Sequence, residues 1–150
     1  MKFALAATFL SLGSLVASSN VAARLSCSQA DRFGDPTLSP TTVKAGDTIT
    51  VNVDLTCGVQ NFGLIPQFLD YSIEVLPPNN NGFEAPLILG RHAIKAGALS
   101  DTLVAKIPHA FFVSGAPYSL VVTNIHNING TDGSPVLTSG GVILPITITS

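Results

Sequence analysis

The stretch Thr48-Ile49-Thr50-Val51-Asn52-Val53-Asp54-Leu55-Thr56-Cys57 alternates polar and apolar residues without a break. A period of two puts Ile49, Val51, Val53, Leu55 and Cys57 on one side of an extended chain and the polar residues on the other. β-branched residues fill the stretch, and Lys44-Ala45-Gly46-Asp47 ahead of it has turn chemistry. The pattern predicts a half-buried strand, with Cys57 in the core.

The same period recurs on either side. Leu69, Tyr71, Ile73 and Val75 alternate with Asp70, Ser72 and Glu74 until Pro77-Pro78-Asn79-Asn80-Asn81-Gly82 ends the strand. Pro86 to Gly90 reads as a short edge strand because of its proline. Leu99, Leu103, Ala105 and Ile107 mark another strand, with Asp101 on the inward phase against the pattern. Pro108 to Pro117 reads as a loop and Tyr118 to Ile125, apolar on both phases, as a central strand. Asn127 to Gly133 reads as a loop, and Val142, Leu144, Ile146 and Ile148 as the last strand. With a weak first strand near Leu38 to Val43 the total is about seven, and no window shows helical periodicity. The expectation is an all-β, two-sheet sandwich of immunoglobulin or fibronectin type, with a small closed barrel as the alternative.

Upstream, Met1-Lys2, the apolar run Phe3 to Val16 and the small residues Val21-Ala22-Ala23 have the order of a secretory signal peptide, too short to span a bilayer. Residues 1–23 are read as that signal and residues 24–150 as a single secreted domain. Behind a signal, the two cysteines, Cys27 and Cys57, read as one disulfide, with free thiols as the competing reading. Asn129-Gly130-Thr131 is a glycosylation sequon in a turn-rich stretch.

Composition narrows the function. The 150 residues are 46% hydrophobic and only 11% charged, with a net charge of −2. This balance favours a packed core over disorder and gives no electrostatic footprint for nucleic acid. No catalytic constellation has diagnostic spacing. Ser114-Gly115 lacks the sequence around a nucleophile elbow. His92, His109 and His126 form no ligand pair and read as surface or loop residues, so no metal or cofactor is expected. Asp70 and Glu74 lie about 13 Å apart along one strand face, wider than a glycosidase carboxylate pair, and read as solvated. The chain has no Trp, and Tyr71 and Tyr118 fall at core strand positions, which weakens a sugar platform. Two features remain as a candidate binding surface: the basic cluster Arg91, His92 and Lys95, and the loop pair Phe111-Phe112. The pair either anchors a partner or plugs one end of the sandwich, and a fold that buries one ring can expose the other.

Several phrases carry a family resemblance. Val43-Lys44-Ala45-Gly46-Asp47-Thr48-Ile49-Thr50-Val51, Leu89-Gly90, Ser114-Gly115-Ala116-Pro117-Tyr118-Ser119-Leu120 and Ile128-Asn129-Gly130-Thr131-Asp132-Gly133-Ser134-Pro135-Val136-Leu137 occur in that order behind the leader. The arrangement resembles the fungal necrosis-inducing secreted protein family across roughly Leu38 to Thr149. Gly-x-Tyr-x-Leu before a strand also occurs in fungal cell-wall Ser/Thr-rich proteins. The first resemblance implies a non-enzymatic effector that interferes with host immune receptor kinases or induces cell death. Its expected partner is a host protein, such as a receptor-associated kinase. The second implies a wall-associated structural or glucan-binding module with a cell-wall polysaccharide partner. The Cys27/Cys57 pair and the segment Gly58 to Phe68 depart from the effector pattern.

Overall fold

The computed structural model describes residues 26–77 and 79–149; the expected leader and Arg24 lie outside them. Nine strands occur among these residues: β1 (Asp35–Ser39), β2 (Thr42–Lys44), β3 (Thr48–Asp54), β4 (Pro66–Val75), β5 (Leu87–Ala93), β6 (Ser100–Lys106), β7 (Tyr118–Asn129), β8 (Pro135–Pro145) and β9 (Thr147–Thr149). They form an all-β sandwich. One antiparallel sheet has the order β1-β3-β6 and the other β5-β4-β7-β8, while the short strands β2 and β9 pair in parallel. Among the described residues no helix is long and apolar enough to cross a membrane.

The alternation that opens the argument holds. Ile49, Val51 and Val53 are buried, whereas Thr48, Asn52 and Asp54 are exposed. Opposite them, β4 and β7 contribute Leu69, Tyr71, Ile73, Leu120 and Val122 to the same core. Each such aliphatic side chain contributes about 1.5–3 kcal/mol on leaving water, which makes this interface the main source of stability.

Four expectations need correction. The weak first strand is two strands, β1 in the three-stranded sheet and β2 paired with β9, separated by a cis Ser39–Pro40 peptide. The expected last strand is likewise divided at Ile146, into β8 and β9, so nine strands replace about seven. Cys57 does not continue β3. That strand ends at Asp54, whose Oδ1 accepts the Thr56 N–H at 2.7 Å, and the chain turns into a single π-type turn over Cys57–Asn61. Cys57 is consequently half-buried at the sandwich margin. Its disulfide to Cys27 brings that turn together with a 3-10 turn at Ala30–Phe33. Gly58 permits the approach, because a side chain there would meet the Arg32 carbonyl at 2.7 Å.

The remaining two corrections concern the C-terminal hairpin. Asn127 to Gly133 is not all loop: β7 runs through Asn129, and β8 begins at Pro135 rather than near Val142. Ile128 pairs with Val136 and Asn127 with Leu137, but β4 stops opposite His126, so the last residues of β7 form a two-stranded ribbon. Polar residues survive in that strand because both ribbon faces meet solvent. Gly140-Gly141 lies within β8. A Cβ on Gly140 would lie 2.2 Å from the Phe33 ring, so glycine is required where this aromatic crosses the sheet.

Candidate functional site

The β4–β5 connection, the loop before β7 and the β2–β3 turn lie at one end of the sandwich, since Val75 of β4 pairs with Tyr118 at the start of β7. Backbone bonds hold this end together. Gly46 N donates to Ile107 O, and Ile107 N donates to Asp47 O, each at 2.8 Å. Asp47 Oδ2 accepts the Lys44 N–H at 3.0 Å and closes the turn, where Gly46 has φ +88°. The loop between β6 and β7 is fixed by Tyr118. Its hydroxyl accepts the Val113 N–H at 2.9 Å, and its ring packs edge-on against Phe112 at 5.4 Å.

That anchoring divides the phenylalanine pair. Phe112 packs against the core, whereas Phe111 is 87% exposed. An open groove of about 560 Å³ runs beside them, lined also by Lys44, Ala45, Ile148 and Thr149. Phe83, in the β4–β5 connection at the same end, is 83% exposed. It was missed in the sequence, although an isolated aromatic between Gly82 and Glu84 in a turn-rich loop is the available signal. The exposed Phe111 ring and Lys44, both on the wall of this groove, offer an apolar anchor and a positive charge to a partner.

The basic cluster is less basic than its sequence suggests. Antiparallel pairing sets Arg91 opposite Asp70. The guanidinium donates twice to that carboxylate, at 2.5 and 2.6 Å, and lies over the Phe68 ring at 5.5 Å. The Arg91 bond holds the Asp70 carboxyl below its usual range against the opposing effect of desolvation. Asp70 is therefore an ion-pair partner rather than simply solvated, and Glu74 accepts a hydrogen bond from Ser72 Oγ at 2.5 Å. His92 Nδ1 lies 2.7 Å from Asp101 Oδ2, the oxygen that also accepts the buried Tyr71 hydroxyl at 2.5 Å. This accounts for Asp101 on an inward phase. Only Lys95 of the three is left without an ion-pair partner among the described residues.

The three histidines are separated, and they are not all surface residues. His92 is on β5 and His109 in the loop before β7, but His126 is buried on β7, its Nδ1 3.2 Å from Asn124 Oδ1 and its ring 5.8 Å from Phe33. Among the described residues no three His, Cys, Asp or Glu side chains are grouped to hold a metal ion. Asn129 is exposed at the end of β7, beside a turn in which Asp132 Oδ1 accepts the Ser134 N–H at 3.0 Å.

No family model and no curated protein matches the chain. Among solved structures, it is similar to forms of superoxide reductase (neelaredoxin) from Ignicoccus hospitalis. One is 19% identical, with 76% of this chain and 79% of that chain covered and a TM-score of 0.43. A second is 17% identical, covers 77% and 82%, and has a TM-score of 0.41. At this level the likeness carries no argument about chemistry, and no residue role is transferred from those enzymes.

Proposed function

We propose that this chain is an exported, non-enzymatic binding protein that recognises a protein partner through the end of the sandwich bearing Phe111. The observation carrying the reading is the exposed Phe111 ring beside a groove whose wall, Phe112, is fixed by Tyr118. A rigid aromatic anchor loses little conformational entropy on binding and buries much apolar area, as interface hot spots do. The motif resemblance supplies the partner class, a host protein associated with immune receptor kinases, and makes the output altered immune signalling or cell death. The alternative, a wall-associated glucan-binding module, has less support because both tyrosines are buried and the chain lacks Trp.

Expression of the full chain in plant leaf tissue tests the reading. Cell death or a changed oxidative burst is the expected result. Normal responses at verified expression, together with retention on washed chitin or β-glucan, would transfer the assignment to the wall-binding module.

A further inference from the structure

We propose that β8 is a self-pairing edge, along which a second copy of this chain adds antiparallel about a two-fold axis at Gly140. β8 is the outer strand of its sheet, and its ladder is made with β7 alone. The two ends of that ladder show which backbone groups face outward. Gly130 N donates to Ser134 O at 2.7 Å, and Ile146 N donates to Tyr118 O at 3.3 Å. Antiparallel pairs alternate between bonded and unbonded, so the even-numbered residues of β8 bond to β7 and the odd-numbered ones point their N–H and C=O away. The outward donors therefore belong to Leu137, Ser139, Gly141 and Ile143, bounded by Pro135 and Pro145, which have no N–H to offer.

This set is self-complementary. Antiparallel pairing about Gly140 puts Ser139 opposite Gly141 of the second copy and Leu137 opposite its Ile143, each pair twice. About eight backbone hydrogen bonds result, and the bond-poor prolines meet at both ends. Leu137 and Ile143 are 58% and 50% exposed, and the pairing joins these side chains across the new strand boundary on the outer face. The strand contains no Asp, Glu, Lys or Arg, so pairing with itself creates no like-charge contact, and it lacks the charges that usually blunt an edge. β1 passes near β8 without pairing to it. An open crevice of about 430 Å³ lies between Gln29, Arg32 and Phe33 and the edge residues Gly141 and Ile143. Arg32, the charged residue bordering it, is held over the Phe33 ring at 4.5 Å. The shared edge would make one continuous sheet across two subunits, the isologous form of strand addition.

Sedimentation velocity of protein purified from cells expressing the full chain, over a dilution series, provides the test. A dimer that dissociates on dilution is expected. Ile143→Lys and Leu137→Lys should each raise the dimer dissociation constant at least roughly tenfold. Val104→Lys, at an exposed position on β6, and Phe111→Ala should leave it unchanged. Both edge residues are exposed, and an unaltered urea midpoint in the dilute monomer verifies folding. A monomer at every concentration, or a dimer indifferent to both edge substitutions, would overturn the proposal without touching the reading of the Phe111 end.

Discussion

Tyr71 and Asp101 form a polar link between the two sheets, and a double-mutant cycle on them has a calculable outcome. Tyr71 is wholly buried on β4, and Asp101 on β6 accepts its hydroxyl at 2.5 Å. Tyr71→Phe removes one hydrogen bond to a charged acceptor, at a cost of about 1.5–3 kcal/mol. Asp101→Ala removes the same bond, strands the buried hydroxyl, and breaks the His92 contact. That last pair has side chains 36% and 18% exposed, and solvent screening limits it to less than about 1 kcal/mol. The expected cost of Asp101→Ala is therefore about 2–4 kcal/mol. With both changes no hydroxyl is left stranded, so the double variant should lose little more than Asp101→Ala alone. The coupling is then about 1.5–3 kcal/mol, measured by urea unfolding at constant m. Costs that add to within about 0.5 kcal/mol would refute the link. Burial, and secondarily the Asp101 bond, push the Tyr71 hydroxyl above its ordinary range. Its contribution is complete below about pH 10, the unfolded value, and is lost as pH rises from there through the folded one.

Three further outcomes are expected. Cys57→Ser opens a loop with a sequence separation of 30 and should cost about 3–4 kcal/mol in urea unfolding; a stability indifferent to both the substitution and reductant would contradict the staple. Gly140→Ala should cost about 1–3 kcal/mol by forcing the Phe33 ring aside, and Phe33→Ala in the same chain should reduce that increment; an unchanged increment would show that the ring is not the obstacle. Hydrogen bonding to Thr56, Arg91 and Ser134 lowers the carboxyl pKa of Asp54, Asp70 and Asp132, respectively. Their stabilisation is present above about pH 4 and is lost as pH falls through the folded values, and Arg91→Gln should flatten that acid limb; an identical limb in the variant would argue against the ion pair.

The sandwich was legible wherever a strand has one wet and one dry face, as in β3 and β4. It became illegible where tertiary partners replace that rule. Asn127 and Asn129 belong to a strand that has left the sheet, and Gly140 lies under a ring from a residue more than a hundred positions earlier in sequence. Cys57 kept the alternating phase although the backbone had already turned into a helical turn, since polarity does not report dihedral angles. The site was half readable. Adjacent phenylalanines in a loop left open whether the pair anchors a partner or plugs the sandwich, and the Tyr118 contact decides which ring is packed. Arg91 looked like part of a positive patch because strand register, which sets Asp70 against it, is not written locally.

The most direct test of the binding account compares leaf responses to the wild-type chain, Phe111→Ala and Val104→Ala at matched expression. Phe111 is exposed, so its truncation should leave the unfolding free energy within about 0.5 kcal/mol of wild type. The account predicts that the response to wild type persists in Val104→Ala and is abolished in Phe111→Ala. A full response from the Phe111→Ala protein would contradict it.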